Sequence, residues 1–244
     1  MGDGRPGEAE LFDLLRRATQ LTADVNALAL DHLQGRTTDG FRLLGAGLEQ
    51  TDAGFIALEA SCTRQLASVM PVLPFDPWGP GPTLDERSRR RGIEILSVYS
   101  RRSLTVNPLL SSMDPSVRIG HAVITMWVVD RARVVLPGPL TADGAPTLFT
   151  AVNPSVLEPS LELWDLIFAS SAPVLAEDEQ APFTPRQVRV AILMARGAKD
   201  ASMARELGVS VRTVVSDVAQ LVSKLGATSR VDAVLALRRG RGRV

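Results

Sequence analysis

Residues 183–230 read FTPRQVRVAILMARGAKDASMARELGVSVRTVVSDVAQLVSKLGATSR. Thr184 and Ser210 stand where helices begin, and Gly197, Gly208 and Gly226 stand where helices end. The pattern predicts four short helices, from Pro185 to the stop at Gly197, over 200–207, over 211–225 and over 230–239. A glycine turn before a capped third helix is typical of a helix-turn-helix, whose third helix enters the major groove of DNA.

The predicted third helix has two distinct faces. Val214, Val218, Leu221 and Leu225 recur at core spacing on one of them. The other face, which includes Asp217, offers hydroxyls for phosphates or base edges, an amide for adenine and cations for phosphates. We expect DNA contacts from this face and from the neighbouring helix starts, through Thr184, Arg186, Lys199, Arg212, Thr213, Ser216, Gln220 and Lys224.

The net charge of zero hides an uneven distribution along the chain. From Pro182 onward there are twelve Lys and Arg residues and four Asp and Glu residues, whereas the part before Pro182 holds 15 basic and 23 acidic residues. A basic end joined to an acidic remainder favours a module that binds a polyanion, attached to a module that does not. The same pattern is compatible with two solvated surfaces that have no charged partner.

Several motifs follow one another in the C-terminal region: Phe183-Thr184-Pro185-Arg186, then Gly197, then Ala204-x-x-Leu207-Gly208-Val209-Ser210-x-x-Thr213-Val214, then Lys224-Leu225-Gly226-Ala227-x-Ser229-Arg230. Together they resemble the LuxR-type (GerE) helix-turn-helix. The resemblance implies sequence-specific DNA binding, commonly as a dimer through the fourth helix.

The chain departs from the pattern of that family at several positions. Gln187 and Arg189 stand where the first helix usually has Glu, and Ser202 replaces the usual Glu of the second helix. Val215 and Asp217 replace a frequent basic residue and a His on the recognition helix. Two functions therefore stay open: a regulator that binds DNA, and an interaction or antagonist module whose degenerate helix-turn-helix does not.

An amphipathic helix is predicted from Glu8 to Gln34, because its apolar residues recur at alternating spacings of three and four. Three heptads are marginal for an isolated coiled coil, so the helix needs either a second copy of itself or the body of its own chain. For a homodimer that presents two recognition helices to DNA, we expect an interface formed by this helix and the fourth C-terminal helix, through Leu11, Leu14, Leu21, Val25, Leu28, Val231, Val234 and Leu235.

The middle of the chain mixes helix and strand signals. Residues 41–70 have the apolar spacing of a second helix, which ends in a connection rich in proline and glycine. Strand-like runs follow, and then a helix, at 92–99, 122–129, 133–136, 148–152 and 155–169. This order predicts an α/β domain.

Four segments of this region form a further set of motifs: Arg91-Gly92-Ile93-Glu94-Ile95 to Tyr99, Val117-Arg118-Ile119, Val128-Val129-Asp130-Arg131, and Leu161-x-x-Trp164 to Pro173. They resemble the phospholipase-D-like domain of actinobacterial TrmB/LuxR regulators. Phospholipase D chemistry uses a histidine nucleophile in an HxKxxxxD motif. After His121, Val123 and Val128 occupy the Lys and Asp positions. We therefore expect a non-catalytic sensor domain, with a small molecule or a protein as its effector.

The predicted fold is mixed α+β and α/β, in three parts: an N-terminal dimerisation helix over 1–40, a degenerate phospholipase-D-like sensor domain over 41–176, and an all-α four-helix LuxR-type domain over 177–244. One cysteine and two histidines predict neither a disulfide nor a zinc site, and no cofactor is expected. No apolar run reaches the roughly 20 residues that span a bilayer, and no signal-peptide core follows Met1. We expect a cytoplasmic regulator that binds double-stranded DNA and is not an enzyme.

Overall fold

The computed structural model of the chain describes residues 7–238. Its helices are α1 (Glu8–Leu33), α2 (Gly47–Ser61), α3 (Gly81–Arg90), α4 (Arg102–Val106), α5 (Leu110–Met113), α6 (Pro154–Ala169), α7 (Pro185–Ala195), α8 (Asp200–Leu207), α9 (Val211–Lys224) and α10 (Arg230–Arg238). Its strands are β1 (Phe41–Ala46), β2 (Gln65–Met70), β3 (Glu94–Tyr99), β4 (Arg118–Ile119), β5 (Met126–Val129), β6 (Arg133–Pro137), β7 (Thr147–Ala151) and β8 (Ala172–Pro173). The chain forms two compact units, a sheet unit (7–71, 80–99 and 118–172) and a helical unit (72–79, 100–117 and 173–238).

The sheet unit is built on a mixed sheet with the strand order β1-β7-β6-β5-β2-β3-β4-β8. Strands β2, β3 and β4 pair in parallel, and the pairs from β1 through to β2 are antiparallel. Adjacent residues of β6 face different cores: Val134 packs in the core that holds α1 and α6, and Val135 packs with Leu58 of α2. Since both faces are covered, the strands read as nearly continuous apolar runs. The predicted α/β architecture is confirmed.

The prediction of a second helix over residues 41–70 is wrong. This segment forms β1, α2 and β2, with a break at Gly47, whose φ of +77° lies in the left-handed region. Strand β1 lies at the edge of the sheet beside β7, and β2 lies between β3 and β5, where Ala67 and Val69 are fully buried. Short apolar runs fit a helix and a buried strand equally well, so the periodicity did not separate them.

The remaining predicted elements of the sheet unit are found close to their predicted bounds, except that β5 is shorter than the run over 122–129. The predicted proline and glycine connection also contains the start of a helix, because α3 begins at Gly81 with a proline in its first turn. Proline is well tolerated at that position, since the first N–H groups of a helix have no partner within the helix.

Helix α1 uses its predicted apolar stripe inside its own chain. Leu14, Leu21 and Val25 are buried in the core that the sheet and α6 form, and Leu28 packs against the same core. Leu11 is half-buried. The predicted dimer contacts of Leu14, Leu21 and Val25 are therefore wrong, because the sheet already removes these side chains from water.

The helical unit contains more than its four C-terminal helices. Phe75 and Leu109 belong to the same core as Met194, Met203 and Leu221 of the helix bundle. The segments 72–79 and 100–117, which the sequence analysis assigned to the middle domain, thus pack on the C-terminal helices.

Replacement of Leu21 by Ala should lower the free energy of unfolding by about 3 kcal/mol, since it removes buried methyl groups and leaves a cavity. Leu15→Ala is the matched control, because Leu15 lies on α1 but is exposed, and we expect it to change stability by less than about 0.5 kcal/mol. Urea denaturation followed by circular dichroism measures both. A loss for Leu21→Ala that disappears as protein concentration rises would instead indicate a dimer interface.

Candidate nucleic-acid interface

Helix α9 follows α8 through a tight turn. Gly208 ends α8 with a φ of +67°, a left-handed conformation that glycine adopts without steric cost. Ser210 then caps α9, and its hydroxyl accepts a hydrogen bond from the backbone N–H of Thr213 at 3.1 Å. The four predicted helices and the helix-turn-helix arrangement are confirmed.

The first turn of α7 contains a capping box and contacts α9. The Thr184 hydroxyl accepts from the backbone N–H of Gln187 at 3.2 Å, and Oε1 of Gln187 accepts from the backbone N–H of Thr184 at 3.1 Å. The capping box orients the Gln187 side chain, whose Nε2 donates to Oε1 of Gln220 on α9 at 2.6 Å. Gln187 was not among the predicted site residues, although the spacing Thr184-x-x-Gln187 is the sequence signal of a capping box.

One face of α9 is buried and the opposite face is open. Val214 and Leu221 are fully buried in the core of the helical unit. Arg212, Ser216 and Ala219 lie on the opposite side and are exposed. The helix therefore presents to solvent the surface that the sequence analysis assigned to DNA, with one exception.

The exception is Asp217, which was predicted on the open face. Its side chain is only 4% exposed, and its carboxylate accepts hydrogen bonds from Nε and Nη2 of Arg186 at 2.7 and 3.3 Å. The hydrogen bonds to the carboxylate raise the pKa of the Arg186 guanidinium, and the charge of Asp217 acts in the same direction. The pair joins α7 to α9, so the carboxylate is neutralised by an arginine of the same unit.

Two other predicted DNA contacts are also bonded within the unit. Nζ of Lys224 donates to the carbonyl of Pro182 at 2.7 Å and to Oε1 of Gln187 at 3.1 Å, and it lies 5.5 Å from the centre of the Phe183 ring. Gln220 is engaged by Gln187. These side chains strengthen the junction of α7 and α9.

Six of the eight predicted DNA-binding residues line one concave surface between the starts of α7 and α9, namely Thr184, Arg186, Arg212, Thr213, Ser216 and Gln220. Lys199, at the start of α8, and Lys224 lie outside it. Among the described residues, none is bonded to the side chains of Arg212 or Lys199, which are exposed. These two cations are therefore available to an anionic partner.

The predicted dimer residues of the fourth helix differ in exposure. Val231 and Leu235 of α10 are 68% and 58% exposed, whereas Val234 packs against the core of the helical unit.

Residues 181–237 match the model of the family described as bacterial regulatory proteins, luxR family, or GerE. The helix-turn-helix is thus of the GerE/LuxR type that the sequence motif predicted. No curated relative matches the chain.

Solved structures similar to the chain include Nuc from Salmonella typhimurium, a phospholipase D family member, with 12% identity over 56% of this chain and 99% of that chain and a TM-score of 0.43. They also include TrmBL2, an archaeal chromatin protein, with 10% identity over 63% of each chain and a TM-score of 0.42. VqmA of Vibrio cholerae, a LuxR-type receptor, has 24% identity over 49% of this chain and 48% of that chain, with a TM-score of 0.24.

Among residues 7–238, no helix is both long and apolar enough to cross a membrane. Nor does this range bring three or more His, Cys, Asp or Glu side chains together as candidate metal ligands.

Removal of Arg186 should destabilise the helical unit, because it leaves the buried carboxylate of Asp217 without its counter-ion. We expect the thermal midpoint of Arg186→Ala to fall by several degrees. Adding Asp217→Ala should recover most of this loss, since the double variant has no unpaired buried charge. Thermal unfolding of the two variants tests this, and a double variant no more stable than Arg186→Ala would contradict it.

Proposed function

We propose that this protein is a DNA-binding transcription regulator, and that its luxR-type helix-turn-helix at residues 181–237 inserts α9 into the major groove of double-stranded DNA. The observation that carries the proposal is the open face of α9 in a domain of this family. In a helix-turn-helix, the N-terminal part of the third helix contacts base edges, and residues around it contact phosphates. Arg212, Thr213 and Ser216 would then be among the residues that contact the DNA.

Other exposed cations of the helical unit would supply phosphate contacts. Arg189 of α7 and Lys199 and Arg205 of α8 are exposed, and no described residue is bonded to their side chains. Arg186 and Lys224 would contact phosphates only with the donors that their internal hydrogen bonds leave free. Such contacts give the salt-sensitive part of DNA affinity that does not depend on sequence. The basic tail residues Arg239, Arg241 and Arg243 lie outside the described residues.

We assign the sheet unit the role of a non-catalytic effector unit, with a small molecule or a protein as its effector. His121 lacks the Lys and Asp partners of the HxKxxxxD motif, since Val123 and Val128 occupy those positions. Apolar side chains can neither bind a phosphate nor carry a proton in hydrolysis. A bacterial regulator of this kind would act in the cytoplasm.

The regulator would act as a homodimer through α10, because Val231 and Leu235 expose apolar side chains one turn apart on this helix. A two-fold dimer places one recognition helix at each of two half-sites about one DNA turn apart. A second apolar surface exists on α1, where Phe12, Leu15 and Leu30 are exposed. It is the competing site for self-association.

The second candidate function is a protein-interaction or antagonist module that does not bind DNA. The observation in its favour is Val215, an apolar side chain that is 50% exposed on α9 where the family often has a basic residue. A protein partner would cover such a side chain from water. The DNA-binding experiment that follows separates the two functions.

DNA binding is tested in two steps. The full chain first selects bound duplexes from a random pool of double-stranded DNA, and fluorescence anisotropy then measures its affinity for the enriched duplex. We expect Arg212→Ala to weaken binding by about tenfold and to reduce the dependence of log affinity on log salt by about one phosphate contact. Arg16→Ala is the matched control, since Arg16 is an exposed arginine of the sheet unit, paired with Asp13. Failure of the wild-type chain to enrich any duplex would favour the interaction module.

Sedimentation velocity tests the dimer. We expect Leu235→Asp to sediment as a monomer at micromolar concentration where the wild-type chain sediments as a dimer, because a charge in an apolar interface is costly. Leu140→Asp serves as the control, as Leu140 is an exposed leucine of the sheet unit, 65% exposed against 58% for Leu235. A dimer that survives Leu235→Asp but dissociates in Leu15→Asp would move the interface to α1.

A further inference from the structure

The open face of α9 carries a row of apolar side chains. Val211, Val215 and Ala219 are spaced four residues apart, so they form one line along the helix. Val211 and Val215 are 47% and 50% exposed, and Ala219 is exposed as well. These side chains are not part of the core of the helical unit, which α9 joins through Val214 and Leu221.

Small and polar side chains flank this row. Ser216 and Ser223 lie beside it, and Arg212 is the cation of this side of the helix among the described residues, since Lys224 is bonded to Pro182 and Gln187. Short side chains let the helix backbone approach a surface closely. Because the row itself is apolar, it is suited to a partner that presents apolar groups at the points of contact.

In the major groove, the apolar group that a base edge presents is the 5-methyl group of thymine. An isopropyl or methyl side chain can pack on this group, whereas it leaves the donors and acceptors of the other bases without partners. We propose that Val215 and Ala219, with Val211 at the helix start, select DNA half-sites by packing on thymine methyl groups. This inference rests on the proposed function and names the bases that the helix would select.

The size of the row favours DNA over a protein as its occupant. A standard protein interface buries about 800 Å² on each partner and has an apolar core. Three small side chains bordered by Arg212, Ser216 and Ser223 do not form such a core. The contact surface of a recognition helix in a groove is one helix face wide, which matches the row.

The test uses the full chain and the duplex that random-pool selection enriches. Each thymidine of a half-site is replaced in turn by deoxyuridine, which lacks only the 5-methyl group, and affinity is measured by fluorescence anisotropy. We expect the wild-type chain to lose about fourfold in affinity for each contacted methyl group. Replacements outside the contacted positions should have no effect.

Variants then assign the contact to a side chain. Val215→Ala should weaken binding to the thymidine duplex and should reduce the deoxyuridine effect at one position, since the shorter alanine side chain has less contact with the methyl group. Val152→Ala is the matched control, because Val152 is an exposed valine of the sheet unit, and it should keep the wild-type response at every position. Thermal unfolding verifies that both variants fold, which we expect because both residues are exposed.

The outcomes separate this inference from the proposed function. A chain that binds an enriched duplex with equal affinity for thymidine and deoxyuridine overturns the inference and leaves the DNA-binding function intact. A deoxyuridine effect that persists unchanged in Val215→Ala overturns the assignment to Val215. A wild-type chain that enriches no duplex overturns both the inference and the proposed function.

Discussion

The burial of Val214 and Leu221 in the core of the helical unit determines what this protein presents to a partner. An α-helix has one face for the core and another for solvent, so the residues that anchor α9 also select those that face outward. Gly208 and Ser210 start the helix at the right point after α8. The domain is of the GerE/LuxR type. The packing of α9 in the core therefore determines which of its residues would contact DNA in the proposed function.

Charge on the same surface is redistributed by contacts within the unit. Asp217 is paired with Arg186, so its negative charge is neutralised and would not repel a phosphate. Lys224 is bonded to Pro182 and Gln187, so its ammonium group is already engaged within the unit. The open face then depends on Arg212 and on short or apolar side chains. We infer that surrounding cations would supply general affinity for phosphates, while α9 would supply discrimination between bases.

In the sheet unit, the apolar face of α1 is likewise buried in the core, so it is not available to a second partner. The stripe of α1 at Leu14, Leu21 and Val25 packs against the sheet and α6, so the proposed self-association would have to use other apolar side chains that are exposed, such as those of α10. An amphipathic helix does not specify its partner, because a sheet and a second copy of the helix both remove the stripe from water. The position of α1 in the fold made that choice.

The sequence by itself determined the helix-turn-helix, since Thr184, Ser210 and the glycines between its helices act through local backbone geometry. It also indicated β3, β5, β6 and β7 and the α/β class of the middle region. Only the tertiary structure decided that residues 41–70 form β1, α2 and β2, because sheet hydrogen bonds join residues distant in sequence. It likewise decided that Asp217 is buried against Arg186. Asp217 lies near the edge of the buried face of α9, and whether its carboxylate is buried depends on the counter-ion that α7 supplies.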